Sequence, residues 1–233
     1  MRRSTHSWAW WGRAMERLLR PGRCPLCEAE RQAGDERLDM LLYENVTDPG
    51  VRAELRASGG WCGHHFQRAM AIARGAGQTA GVALLYADVL EAAAARPPRR
   101  GRPCCGICCL AATAGRTAAS QLAAVLDSSE LDQEFTASGP VCLAHLPLVQ
   151  ALPAGRGRER LLQPAPASMA EVAAGLQDYF RRQSYDWHGD KSDQGVMARL
   201  GQLVQGGYPG ATANQCRDRE ARVSWYRRLG RLR

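Results

Sequence analysis

The stretch PCCGICCL, residues 103–110, carries four cysteines within six consecutive positions. Only Cys105 and Cys108 stand in the C-x-x-C spacing, which lets two thiolates turn toward one metal ion from a tight loop. Cys104 and Cys109 have no partner at that spacing. The stretch therefore predicts a metal-binding knuckle, meaning a loop that supplies two metal ligands, flanked by two additional thiols.

The same knuckle occurs earlier in the chain as part of an internal duplication. CPLC at residues 24–27 precedes ASGGWCGHHF at 57–66, and CGIC at 105–108 precedes ASGPVCLAHL at 137–146. The two copies are offset by 80 or 81 residues, so a single one-residue insertion or deletion reconciles them. Self-similarity at one period indicates that a structural unit is repeated.

Each copy combines C-x-x-C with C-x-x-H after a spacer of 34 or 33 residues. Positions i and i+3 of C-x-x-H place a thiolate and an imidazole on one face of a helical first turn. Three thiolates and one imidazole favour Zn²⁺ in a closed tetrahedral site. The sequence therefore predicts two structural zinc ions, one within each copy. The predicted metal ligands are Cys24, Cys27, Cys62 and His65 in the first copy and Cys105, Cys108, Cys142 and His145 in the second.

The alternative is a redox protein that holds an iron–sulfur cluster at the same cysteines or uses Cys104 and Cys109 as reactive thiols. Hydrolysis is disfavoured because four protein ligands leave zinc no open position. The sequence also has no Ser/His/Asp arrangement, no Gly-rich phosphate loop and no H-E-x-x-H. We therefore predict no catalytic residue. His64 is expected to be exposed or to lie beside the site, because the repeat register selects His65 as the ligand.

The segments between the motifs have the apolar period of helices. Leu38, Leu41, Leu42 and Val46 recur at about 3.6 residues, and Asp48-Pro49 supplies an N-cap and a first-turn proline for the next helix. No segment alternates as a strand does. The predicted fold class is all-α, with duplicated helical lobes each built around a Cys3His metal site, plus a C-terminal helical extension.

The motifs also suggest five segments along the chain. These are an N-terminal Trp/Arg-rich helix at 1–23, a first repeat at 24–96, a Pro/Arg linker at 97–103, a second repeat at 104–183 and a basic extension at 184–233. Trp8, Trp11, Met15 and Leu18 form a helical stripe in the first segment. The stripe is short for a membrane-surface helix, so we expect it to pack on the protein or on a partner.

Cysteine content and apolar patterning predict a cytoplasmic location. The chain has nine cysteines and no N-terminal apolar run of signal-peptide length, and clustered thiols in a reducing compartment more often hold metal than form disulfides. No segment approaches the roughly 20 continuous apolar residues of a membrane span. The 31 basic residues include one lysine, Lys191, a bias typical of a GC-rich bacterial genome.

The net charge of +8 leaves an anionic partner open. A solvated basic surface is the simpler interpretation, since no nucleic-acid-binding motif is present. Any binding to nucleic acid should be non-specific and sensitive to salt. The basic clusters are Arg96, Arg99, Arg100 and Arg102, then Arg156, Arg158 and Arg160, and the C-terminal arginines from Arg217 to Arg233.

From residue 24 to about 229, the chain resembles the bacterial domain of unknown function 6062 family, which has paired CPxC and SGGxCxxH motifs. The resemblance rests on CPLC, on LLYENVTDPGVRAELRASGGWCGHHF, on the ALLYADVL helix and on the second CGIC and SGPVCLAHL. It implies a helical fold with paired metal sites and leaves the function open. From the residues themselves we expect a non-enzymatic, partner-binding or adaptor protein, whose partner is an unidentified protein or an anionic molecule. The second knuckle departs from the family pattern because Gly106 replaces the proline after its first cysteine.

The duplication assigns the four thiols of PCCGICCL. Cys104 and Cys109 align with Arg23 and Glu28, so the first copy has no cysteine at the outer positions. We expect the Cys104→Ser/Cys109→Ser double variant to retain two metal equivalents by elemental analysis, whereas Cys105→Ser should lose one. A double variant that kept only one equivalent would contradict the repeat-based assignment.

Overall fold

The computed structural model describes residues 15–95, 105–128, 131–184, 186–193 and 195–204. These residues form helices and no strand, which confirms the predicted all-α class. Within these ranges, no helix is both long and apolar enough to cross a lipid bilayer. The helices are α1 (Pro25–Tyr43), α2 (Pro49–Ser58), α3 (Gly63–Gly75), α4 (Thr79–Ala95), α5 (Gly106–Asp127), α6 (Asp132–Ala137), α7 (Leu146–Gln150), α8 (Arg156–Leu162), α9 (Pro164–Arg182) and α10 (Val196–Val204).

The described residues divide into two compact units whose boundaries fall inside α1 and α5. Unit 1 contains the chain up to Ala29 and again from Ala114, and unit 2 contains Glu30–Thr113. Each unit thus combines the C-x-x-C knuckle of one sequence copy with most of the helices of the other. The units therefore differ in extent from the repeats predicted at 24–96 and 104–183.

The N-terminal segment contributes to the apolar core of unit 1. Met15 and Leu18 are each only 6% exposed and belong to the same core as Leu122. The prediction that the Trp/Met stripe packs on protein is thus confirmed for these two residues. Trp8 and Trp11 lie outside the described residues.

In unit 2, α2 begins as the sequence predicts. The Val51 N–H donates to Asp48 Oδ1 over 2.8 Å, with Pro49 in the first turn, and this cap satisfies a backbone donor that the helix leaves open. The helix ends at Gly59, whose φ of 67° lies in the left-handed region that favours glycine. The Asp88 carboxylate on α4 accepts from Arg52 on α2, and the Arg52 guanidinium holds the pKa of Asp88 below its usual value.

A glycine at the start of α8 allows close packing against α5 in unit 1. A Cβ at Gly157 would overlap the backbone carbonyl of Ala123, and that carbonyl cannot move without moving α5. We expect Gly157→Ala to lower the free energy of unfolding by about 1–3 kcal/mol or more, measured by thermal melting.

Gly201→Ala is the matched control. A Cβ there meets no atom within 4 Å, and alanine in a helix is more stable than glycine by about 0.8–1 kcal/mol. A Gly157→Ala protein as stable as the Gly201→Ala protein would contradict this account.

Candidate metal centres

The eight predicted ligands lie at the starts of helices or in the turn before one. Cys24 immediately precedes α1, and Cys105 precedes α5. Cys62 is the N-cap of α3, and His65 follows in its first turn. The N-terminus of a helix carries a partial positive charge, which favours an anionic ligand nearby.

The cluster in unit 1, here called the unit 1 site, consists of Cys24, Cys27, Cys142 and His145. The Nδ1 atom of His145 lies 3.3 Å from Cys142 Sγ, 3.4 Å from Cys27 Sγ and 3.7 Å from Cys24 Sγ. The sulfurs of Cys27 and Cys142 are 3.6 Å apart, far longer than the bond of about 2.05 Å in a disulfide. One imidazole nitrogen and three sulfurs therefore converge on one point.

The cluster in unit 2, here called the unit 2 site, consists of Cys62, His65, Cys105 and Cys108. The Nδ1 atom of His65 lies 3.2 Å from Cys62 Sγ, 3.3 Å from Cys108 Sγ and 3.6 Å from Cys105 Sγ. The sulfurs of Cys62 and Cys108 are 3.6 Å apart. The unit 2 site thus repeats the geometry of the unit 1 site. It uses the C-x-x-H of the first copy and the C-x-x-C of the second copy.

The distances within both clusters match the edges of a tetrahedron around one zinc ion. Bonds of about 2.3 Å from zinc to sulfur and about 2.0–2.1 Å from zinc to nitrogen give edges of about 3.8 Å between two sulfurs and about 3.6 Å between sulfur and nitrogen. One sulfur–sulfur pair in each cluster, Cys27–Cys142 in unit 1 and Cys62–Cys108 in unit 2, is 3.6 Å apart. All four ligand atoms of each cluster lie within 4.8 Å of one another. Each cluster can therefore hold a single metal ion.

The pairing of the motifs differs from the predicted pairing. The sequence predicts that each copy closes its own site, but the structure joins Cys24 and Cys27 to the C-x-x-H of the second copy and Cys105 and Cys108 to that of the first. The prediction of one complete site within each copy is wrong. The physical reason is that ligand spacing specifies which atoms can share an ion within a motif, whereas the path of the helices decides which motifs meet.

The thiols of each cluster influence one another's protonation. A hydrogen bond from Cys108 is the largest cause that lowers the pKa of Cys105, to about 3, and His65 and backbone groups lower it further. In unit 1, hydrogen bonds from Cys142 and Cys27 lower the pKa of Cys24. Each cluster thus stabilises a thiolate at the cysteine that precedes its helix.

A close backbone contact brings the two knuckles of the unit 1 site together. A Cβ at Gly139 would overlap the backbone of Arg23, the residue before Cys24. Only glycine lets the segment before Cys142 approach so closely. The glycine in SGPVC therefore sets the distance between the knuckles, a role that its position in the motif does not reveal.

A buried carboxylate that pairs with two exposed arginines also adjoins the unit 1 site. The Glu28 carboxylate follows Cys27 in the first turn of α1 and is 2% exposed. It lies 3.1 Å from Arg20 Nε and 3.8 Å from Arg23 Nη1. This contact was not predicted. Position 28 aligns with Cys109 in the second sequence copy, so comparing the copies gave no sign that Glu28 has a role.

A tyrosine supports the unit 2 site. The Trp61 N–H donates to the Tyr86 hydroxyl over 3.1 Å, and this bond holds the backbone next to Cys62 against α4. Burial raises the pKa of Tyr86, so the hydroxyl stays protonated at neutral pH. This contact was not predicted either. The ALLYADVL segment around Asp88 aligns with AAGLQDYF around Asp178, which places Leu176 opposite Tyr86, so repetition gives no signal for it.

The remaining thiols and His64 lie outside the two clusters or outside the described residues. Cys109 is 6% exposed and belongs to neither cluster. His64 is exposed and is not a member of the unit 2 site, as expected from the repeat register. Cys104, which is predicted to be dispensable for metal binding, and Cys216 lie outside the described residues.

Comparison of the chain with protein-family models, curated proteins and solved structures finds no match in any of the three. The interpretation of the two sites therefore rests on their own geometry.

Metal counting in paired variants distinguishes the observed pairing from the predicted one. Cys24→Ser combined with Cys142→Ser removes two ligands from one site, so this variant should lose one metal equivalent. Cys24→Ser combined with Cys62→Ser removes one ligand from each site and should lose two. Elemental analysis of anaerobically purified protein gives both counts. If each copy closed its own site, the two results would be exchanged.

Proposed function

We propose that this protein is a non-enzymatic helical protein that is stabilised by two structural zinc ions and acts by binding a partner. One observation carries the proposal, namely the presence of two closed clusters of three sulfurs and one nitrogen at tetrahedral distances. Structural zinc sites use four protein ligands, and Cys3His is one of their usual ligand sets.

The alternative metal centre is an iron–sulfur cluster at the same cysteines. A multinuclear cluster places several atoms between its protein ligands and holds them farther apart than one shared ion does. The two clusters here keep all ligand atoms within 4.8 Å of one another, which favours a mononuclear site. The mixed sulfur and nitrogen ligands and tetrahedral spacing favour zinc among mononuclear ions.

The geometry favours a structural role over a catalytic role for the metal. A catalytic zinc ion keeps one position for water or substrate and takes three protein ligands. Each cluster here offers four. Most of these ligands are buried, including Cys24, Cys108, Cys142 and both histidines. The burial separates the sites from solvent and supports a role in holding helices together.

The proposed partner, in the bacterial cytoplasm, is a protein or an anionic molecule. If the partner is nucleic acid, the protein would bind it without sequence preference. The net charge of +8 supports an anionic partner. Among the described basic residues, Arg156 is exposed at the start of α8. Membership of the domain of unknown function 6062 family is part of the proposal and rests on the motifs alone.

Metal removal tests the structural role. Structural zinc contributes about 10–16 kcal/mol in small zinc-finger peptides, whereas whole domains have a net stability of about 5–15 kcal/mol. We therefore expect chelation under reducing conditions to cause a large loss of far-UV circular dichroism and of the cooperative thermal transition, both restored by zinc. A dichroism spectrum and melting temperature unchanged by complete metal removal would overturn the structural role.

The visible absorption spectrum identifies the metal in the same sample. Zinc protein purified without oxygen should be colourless and should contain two equivalents of zinc by elemental analysis. Iron–sulfur protein absorbs visible light and appears brown. Visible absorbance together with stoichiometric iron would replace the zinc proposal with the redox alternative, and the chelation experiment would still report on the structural role.

A further inference from the structure

The duplication allows the surroundings of the two sites to be compared position by position. In unit 1, the residues within and after the first knuckle pack closely, and Leu26 and Ala29 are 0% and 7% exposed. Leu131 and Phe135, from the segment that follows α5 and from α6, are 4% and 3% exposed. All four belong to one core that also contains Met15 and Leu18 from the segment before the knuckle.

The counterparts in unit 2 line an open cleft of about 390 Å³. Ile107 and Leu110 replace Leu26 and Ala29, and Val51 and Leu55 replace Leu131 and Phe135. Leu110 is 40% exposed and Val51 is partly exposed, in contrast to their buried counterparts. The volume is within the range of about 300–1,000 Å³ that is typical of ligand sites. The apolar residues that line the cleft are Leu41, Val51, Leu55, Trp61, Ile107 and Leu110.

The sequence before the second knuckle has no counterpart of the two core residues in the N-terminal segment. Met15 and Leu18 lie nine and six residues before Cys24. The residues at the same distances before Cys105 are Arg96 and Arg99. Within the described residues, unit 2 therefore has apolar residues at the aligned positions of the lining and no counterpart of the apolar pair Met15 and Leu18.

We propose that the cleft beside the unit 2 site binds an acidic amphipathic helix of a partner protein, which inserts two apolar side chains three residues apart. The spacing follows from Met15 and Leu18 in unit 1, where Leu18 N–H donates to the Met15 carbonyl over 2.9 Å in a helical turn. A helix that presents apolar residues at i and i+3 is a common ligand for an apolar groove. The inference rests on the proposed partner-binding function and specifies the class of partner.

The acidic character of the partner follows from Arg37 at the cleft. Arg37 is half-buried, and its side chain has no hydrogen bond or ion pair among the residues that the structure describes. The counterpart in unit 1 is Ala118, which is buried in the core. The other charged residue at the cleft, Glu54, has an interaction of its own. Arg37 is thus the charge that is open to a ligand, and a carboxylate on the bound helix would pair with it.

Fluorescence anisotropy with a labelled helical peptide tests the proposal on the full-length, metal-loaded protein. The probe carries methionine and leucine three residues apart in a background of alanine and glutamate. One control peptide has lysine in place of glutamate, and a second has alanine in place of both apolar residues. We expect the glutamate peptide to bind at least tenfold more tightly than either control. Equal binding of the peptide without apolar residues would overturn the proposal.

Variants of the protein locate the binding. Leu110→Glu should weaken binding of the glutamate peptide at least tenfold, because it places a carboxylate in the apolar cleft. Arg37→Glu should reverse the preference, so that the lysine peptide binds more tightly. Arg74→Glu makes the same charge change at an exposed position on α3 outside the cleft and should preserve the preference. An equal effect of Arg37→Glu and Arg74→Glu would overturn the assignment of the cleft.

Two further measurements distinguish partner binding from loss of metal and from occupation of the cleft by the chain itself. The unsubstituted protein and each variant are first shown to hold two metal equivalents. An unsubstituted protein that keeps its metal and fails to bind the glutamate peptide overturns the cleft proposal alone. A protein that ends at Val204 is compared with the full chain. If this shorter protein binds the peptide at least tenfold more tightly, the C-terminal residues of the chain itself occupy the cleft, and the partner proposal is wrong.

Discussion

The rest of the structure depends on one arrangement that occurs in each unit. Four ligands converge there from two helix N-termini that are distant in the chain. In unit 1, Cys27 and Cys142 are 115 residues apart, and in unit 2, His65 and Cys105 are 40 apart. The shorter loop lies entirely within the longer loop. Closing a longer loop costs more chain entropy, so the unit 2 site, if closed first, shortens the loop that the unit 1 site must close.

The exchange of motifs makes the two sequence copies interdependent. Neither copy contains a complete site, because each supplies C-x-x-C to one unit and C-x-x-H to the other. A change that displaces the C-x-x-C of one copy thus removes two ligands from the site that the C-x-x-H of the other copy completes.

The divergence lies in what surrounds and supports each site. In unit 1, Gly139 allows a close backbone contact between the two knuckles. In unit 2, the Tyr86 hydroxyl accepts a hydrogen bond from the N–H of Trp61, the residue before Cys62. The core around the first knuckle is closed, and its counterpart in unit 2 is an open cleft with an arginine. The two clusters therefore share one ligand set and differ in the residues that surround them.

The sequence alone was sufficient to predict the all-α class, the Asp48 cap and the residues that make up the clusters, because helical period, capping and ligand spacing are local properties. The predicted C-terminal helical extension lies mostly outside the described residues. The sequence was not sufficient to pair the knuckles. Both pairings use identical ligand types and identical spacings within each motif, so nothing local distinguishes them. Only the paths of α1 and α5, which each run from one unit into the other, place Cys24 beside His145 and Cys105 beside His65. The Gly139 and Tyr86 contacts and the cleft also depend on that packing, since each is formed by residues that are far apart in the chain.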